Sequence, residues 1–191
     1  MNWETLLCVG DSITIGSRSY LGYPEYCGGF LSDETKKNWN VLNHAVAGYT
    51  TIDLVRSVDR SYNHLKSAKP DIATILIGTN DLKSSTSLKL FKLTYDQLVV
   101  KMRLLVGNKN LVLVAIPRLM NDVMLPYNIG MNAMVDQYNS IIREIAQEHG
   151  LKYLELKFDA TYFYDGVHLN EQGSEQIGLQ LSDFILGLRR G

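Results

Sequence analysis

The chain is predicted to fold as a three-layer α/β/α domain around a five-stranded, flavodoxin-like parallel sheet of order 2-1-3-4-5. Three observations carry the helix-covered parallel sheet and the single domain, and the order is that of the doubly wound arrangement whose switch point lies between strands one and three. Short β-branched runs alternate along the whole length with longer segments of helical period. Four of the five runs are heavily apolar, as strands covered on both faces should be. No composition break, linker, internal repeat or low-complexity stretch interrupts the 191 residues, and 46% hydrophobic content is enough for one sizeable core, so a single domain spanning 1–191 is expected.

The elements follow in order. Residues 5–9 form the first apolar strand and contain Cys8. A second strand at 40–45 leads, after Gly48, into a helical segment at 52–65. Residues 71–77 form the third strand and are followed by a helical segment at 90–106. The fourth strand, at 110–116, precedes a helical segment at 129–149, and Gly150 stands where a helix C-terminal cap is wanted. Residues 151–156 make the fifth strand. In the last helical segment, 171–188, Ile177, Leu181, Phe184, Ile185 and Leu188 recur at spacings of three and four and form one apolar stripe for the sheet.

Charge and cysteine content narrow the function classes. Nineteen basic residues nearly balance twenty acidic ones without a block of either sign, which argues against a nucleic-acid or anionic-membrane partner and for a small or neutral ligand. The opening Met1-Asn2-Trp3-Glu4-Thr5 lacks a basic signal region, residues 6–9 are too short for a signal core, and no apolar run approaches the ~20 residues of a membrane span. A soluble, cytoplasmic protein is expected. The two cysteines fit neither a disulfide framework nor a zinc site and read as packing residues.

The chemistry lies in four short polar blocks. Gly10-Asp11-Ser12 follows the first strand, Gly48 the second, and Gly78-Thr79-Asn80-Asp81 the third, so all three lie at carboxyl ends of strands. Ligands of an open doubly wound sheet bind at that edge, and the switch point between strands one and three would be flanked by Ser12 and Asn80. Asp165-Gly166-Val167-His168 lies between the fifth strand and the last helix and can reach the same edge. Ser12, His168 and Asp165 are the parts a hydroxyl nucleophile needs: a base to take its proton and a carboxylate to hold the imidazole's tautomer.

These four blocks, in this order, resemble those of the SGNH hydrolase family, also called GDSL-like esterases and lipases, over nearly the whole chain. The resemblance implies that Ser12 is the nucleophile, His168 the general base and later acid, and Asp165 the group that orients the imidazole. It also implies an oxyanion hole made from the N–H groups of Ser12 and Gly48 and the side-chain amide of Asn80. Such donors suit the tetrahedral intermediate, whose oxygen carries a full negative charge. An α/β-hydrolase elbow fits less well, because Gly10-Asp11-Ser12-Ile13-Thr14 lacks the second glycine of Gly-x-Ser-x-Gly.

Structural readings of the same residues compete. Ser12 and Asp11 also suit a helix cap or a turn, Gly48 a turn with positive φ, and His168 a satisfied loop position. Asp11 is expected to support the site and, with Met124 and Tyr127, to line the substrate pocket, although the apolar stretch 119–127 suits packing on the core equally well. His64 and His149 read as surface residues, and His44 as a buried, hydrogen-bonded side chain near the site. No cofactor and no metal are implied, since Asp165 and His168 lack a third convergent ligand. Residues 10–16 have neither a Gly-Lys-Ser/Thr ending nor G-x-G-x-x-G spacing, which argues against nucleotide binding.

The expected activity is cleavage of carboxylic esters through an acyl-enzyme on Ser12, with short-acyl or O-acetyl carbohydrate esters favoured. A lysophospholipase or acyl-thioesterase is the alternative within enzymes. A catalytically silent binding module is the reading from another class.

Overall fold

The computed structural model describes residues 3–121 and 123–190. Met1 and Asn2 of the opening segment, and Asp122 of the 119–127 stretch, lie outside the described residues. Five strands, β1 (Trp3–Gly10), β2 (Asn38–Ala45), β3 (Ile72–Leu76), β4 (Leu111–Val114) and β5 (Lys152–Leu154), form one sheet of order β2-β1-β3-β4-β5. Every pair is parallel, as the sequence predicts. Among the described residues seven α-helices accompany it: α1 (Ser12–Ile15), α2 (Tyr23–Thr35), α3 (Thr51–Ser67), α4 (Thr79–Lys83), α5 (Leu88–Val106), α6 (Asn132–His149) and α7 (Glu171–Arg190). Among the described residues, none is long and apolar enough to cross a membrane.

Side chains alternate across β1, so it feeds two separate cores. Leu7 and Val9 join Leu98 of α5 and Ile142 of α6 on one face. Leu6 and Cys8 join Cys27 and Leu31 of α2 and Ile177 and Ile185 of α7 on the other. Both cysteines are buried thiols. Burial pushes the Cys8 thiol up to about 12, which keeps it protonated and unreactive near neutral pH.

Helix α2 is absent from the sequence reading. Its buried positions Tyr23, Cys27 and Leu31 have helical spacing, but Pro24, Gly28 and Gly29 read as turn residues. Pro24 is tolerated because it stands in the first turn, where its missing N–H has no partner to lose. Gly28 permits close packing on β2: a Cβ there would stand 2.3 Å from Val41 Cγ2. The third predicted helix begins at Asn132 rather than 129, because Ile129–Met131 is a separate 3-10 turn. The predicted fifth strand, 151–156, contracts to Lys152–Leu154.

Register places the functional edge. Gly10 of β1 stands level with Ala45 of β2 and with Leu76 of β3. The segments that leave these three strands therefore emerge side by side, and they carry Ser12, Gly48 and Asn80.

Candidate active site

Ser12 is the first residue of α1, and the preceding Asp11 caps that short helix by accepting the Ile13 N–H at 3.0 Å. The cap role that the sequence allows for Ser12 thus falls to Asp11, and the Ser12 hydroxyl is free to turn toward the cleft. The loop after β5 meets it there. His168 Nε2 lies 3.0 Å from Ser12 Oγ, across 156 positions of sequence. His168 Nδ1 lies 2.8 Å from Asp165 Oδ2.

Local bonds fix the loop that presents this pair. Asp165 Oδ1 accepts the N–H groups of Val167 at 3.1 Å and His168 at 2.8 Å, so the carboxylate folds its own loop with one oxygen and holds the imidazole with the other. Tyr164 N–H donates to His168 C=O at 2.8 Å, beside an isolated antiparallel bridge between Phe163 and Leu169. Burial opposes the Asp165 charge, but the His168 N–H, the imidazole and the Val167 N–H outweigh it and hold the carboxyl below the usual range. Arg18 Nε stands 3.8 Å from Asp165 Oδ2, with its guanidinium over the Tyr164 ring. At half exposure that pair contributes little by itself.

The segments after β2 and β3 face this pair. Tyr49 N–H closes a turn on Val46 C=O, and Gly48, at φ 85°, occupies the third position, whose own N–H the turn leaves unused. Asn80 lies in the first turn of α4, and its amide donates to Tyr49 C=O at 3.0 Å. Asp81 accepts both the N–H and the hydroxyl of Thr51, at 2.9 and 2.8 Å, and so pins the start of α3 to α4. The sequence reading missed this tie, although Thr50-Thr51-Ile52-Asp53 carries the signal of a capped helix start; the structure shows the reciprocal box between Thr50 and Asp53.

Ser12, Gly48, Asn80 and His168 line one open cleft of about 320 Å³. Met124, Pro126 and Tyr127 wall it, so both 119–127 residues singled out from sequence face the site. Arg18 and Lys83 also line it and had no sequence signal. A larger groove of about 740 Å³ along β5 and α7 contains none of these residues; the Ser12–His168 pair belongs to the smaller cleft.

Two expectations need correction. Asp11 does not line the cleft: its side chain is fully buried under α1, because adjacent residues at a strand-to-helix turn point in different directions. His149 is not a surface residue but is half-buried between Arg103 and Asp96, with Nε2 2.6 Å from Asp96 Oδ1. His44, by contrast, is hydrogen-bonded as expected: it is half-buried outside the cleft lining, with Nε2 3.3 Å from Ser57 Oγ, and burial lowers its pKa. Among the described residues no three His, Cys, Asp or Glu side chains converge to hold a metal ion.

The buried Asp11 predicts a pH-dependent stability. Burial, and secondarily the charge of Asp81, lift its carboxyl from 3.8 to about 7, and Oδ2 has no hydrogen-bond partner among the described residues. A carboxyl raised in the folded state contributes stability that is complete below the free-carboxyl pKa and is lost as pH rises through about 7. Ionising it in place costs about 4 kcal/mol. Asp11→Asn keeps the cap acceptor and removes the titration, so its Tm should gain on wild type as pH rises from about 4.5 to about 8. A gap that is constant or narrows over that range would contradict the burial argument.

Comparison with known proteins agrees with this architecture. The sequence model of the GDSL-like Lipase/Acylhydrolase family matches residues 8–176. The chain is 26% identical over 215 residues to a multidomain esterase of Ruminococcus flavefaciens, an alignment covering 91% of this chain and 27% of the relative. It is 25% identical over 198 residues to an acetylxylan esterase of Xylanibacter ruminicola, covering 89% and 40%. The chain thus spans well under half of either curated relative. Two solved structures share the fold. An acetylxylan esterase of Geobacillus stearothermophilus has a TM-score of 0.70 at 23% identity, covering 97% of this chain and 93% of that one. An α/β hydrolase from the metagenome of Lake Arreo has a TM-score of 0.71 at 20% identity, covering 97% and 94%.

Proposed function

Because the chain belongs to the GDSL-like lipase/acylhydrolase family, we propose that it is a serine esterase that removes short acyl groups, acetyl foremost, from the hydroxyls of carbohydrates. The observation that carries this reading is the Ser12–His168–Asp165 relay, with heavy-atom separations of 3.0 and 2.8 Å, opening onto a small cleft.

The chemistry follows from which atoms can donate. The Asp165 carboxylate only accepts, so it selects the tautomer with the proton on His168 Nδ1 and leaves the Nε2 lone pair facing Ser12. Nε2 takes the hydroxyl proton as Oγ attacks the ester carbonyl. The carbonyl π pair moves onto oxygen, and that anion is met by the N–H groups of Ser12 and Gly48 and by the Asn80 amide. The imidazolium passes its proton to the leaving alcohol oxygen as the C–O bond breaks, which gives an acyl-Ser12. Water then repeats the cycle, losing a proton to Nε2 and expelling Oγ, so that ester and water become acid and alcohol.

Two observations bear on the acyl group. The cleft volume suits a small acid, and the relatives named as acetylxylan esterases point to acetyl on a sugar. Leu125 is 84% exposed and Met124 37% exposed beside the cleft, which favours the competing reading of a longer acyl chain lying along that edge. Hydrolysis of p-nitrophenyl esters from acetate to palmitate, together with acetate release from acetylated xylo-oligosaccharides, separates the two. Turnover should peak at the shortest esters, with acetate released from the oligosaccharide. A maximum at long chains with no acetate release would assign the site to lipid or thioester substrates instead.

A further inference from the structure

The amide of Asn80 has an orientation that can be deduced from its neighbours. Tyr49 C=O, 3.0 Å away, can only accept, so the amide atom facing it must be nitrogen. The other amide atom is therefore Oδ1, and it lies 3.1 Å from the Tyr127 hydroxyl, which must donate to it. One N–H is spent on Tyr49, Oδ1 is spent on Tyr127, and a single N–H is left over. Asn80 and Ser12 line the same cleft.

Tyr127 is itself anchored on the opposite side of the site. Its own N–H donates to Met124 C=O at 3.0 Å, and Met124 N–H donates to Asp165 C=O at 3.0 Å. Met120 N–H donates to Gly166 C=O at 3.0 Å, and at the foot of the segment Leu119 is gripped by Asn132, whose side chain accepts its N–H and donates to its C=O. Tyr127 is 6% exposed. Met120, Met124 and Tyr127 thus link the Asp165–His168 loop to the amide of Asn80.

We propose that Tyr127 is a positioning residue for ester hydrolysis: its hydroxyl holds the Asn80 amide so that the uncommitted N–H meets the developing oxyanion, and its segment ties that donor to the loop bearing Asp165 and His168. This role rests on the serine-esterase reading. Without the hydroxyl, Asn80 keeps only the Tyr49 contact, and its amide can pivot about that single bond. The charge on the transition-state oxygen then meets a donor that must reorganise, the cost that a preorganised hole avoids. Burial, with the nearby Asp11 and Asp165 charges, raises the Tyr127 phenol to about 12, so the hydroxyl remains a donor throughout the working pH range.

Tyr127→Phe keeps the ring that walls the cleft and deletes only the hydroxyl. With p-nitrophenyl acetate its kcat should fall about tenfold at nearly constant KM. Asn80→Ala should cost about a hundredfold or more. In the Asn80→Ala background, Tyr127→Phe should add less than about twofold, because the group it positions is gone. Phosphonylation of Ser12 by a fluorophosphonate also builds negative charge on oxygen, and its rate should show the same non-additivity. Three outcomes overturn the assignment: an unchanged kcat, the same tenfold loss in both backgrounds, or a raised KM at constant kcat, which would make Tyr127 a substrate contact. A purely structural role would lower Tm without the non-additive kcat. A wild type inert to both reagents would instead overturn the esterase reading and this role with it.

Discussion

Ser12→Ala is expected to lower kcat on p-nitrophenyl acetate by about a millionfold, to the level that binding and the remaining oxyanion donors supply. The size follows from the geometry. Ser12 Oγ is the hydroxyl that the His168 imidazole addresses, at 3.0 Å, and without it the imidazole can only deprotonate water that no residue has been shown to align. The substitution spares the rest of the machinery. The residue 12 N–H persists, so the proposed oxyanion hole loses nothing, and alanine is an excellent helix former at the first position of α1. The hydroxyl is not spent on capping, since Asp11 supplies that bond, so Tm should move by no more than about 1 kcal/mol would produce. Parallel measurement of kcat, Tm and covalent labelling decides the matter. Retention of more than about one part in a thousand of the activity, or phosphonylation of the variant, would remove Ser12 from the nucleophile's role.

What the sequence made legible divides by how local the cause is. Strand identity depends on nearby residues, and buried parallel strands are continuously apolar, so β1, β3 and β4 were readable to within a few residues. The order of the sheet and the level ends of β1, β2 and β3 then bring Ser12, Gly48 and Asn80 to one edge. Asp165 and His168 were legible because three residues of a tight loop place both side chains on one side of it. Helix α2 was not, because Gly28 is there for packing against Val41, and a packing requirement between segments 13 residues apart is invisible to periodicity. Sequence adjacency misled at Asp11, which shares a peptide bond with Ser12 yet serves the core beneath it. The Tyr127–Asn80 bond joins residues 47 apart and is specified by a count of donors and acceptors in space, which no motif encodes. His149 was misjudged for the same reason: its helix position suits solvent, but Arg103 and Asp96 arrive from α5 to cover it.

Asp165→Asn should reduce kcat by about ten-thousandfold while leaving KM and the fold nearly unchanged, and the loop itself dictates why. Two backbone N–H groups, of Val167 and His168, aim at Oδ1 of residue 165. Both can only donate, so the new amide must keep its oxygen there. Its nitrogen is then forced into the place of Oδ2, 2.8 Å from His168 Nδ1. A donor facing Nδ1 requires that atom to accept, which moves the imidazole proton to Nε2 and points it at Ser12. Nε2 would then donate to the hydroxyl whose proton it should remove, and the base is lost with every heavy atom still in position. Stability supplies an independent check with a fixed sign. The Asp165 carboxyl lies below its usual pKa in the folded protein, so its contribution is present above the free-carboxyl pKa and fades as pH falls through the lowered value. The Tm deficit of the Asp165→Asn variant should therefore be visible near neutral pH and shrink in acid. A variant that keeps more than about a tenth of wild-type kcat would show that the imidazole is oriented by something other than this carboxylate.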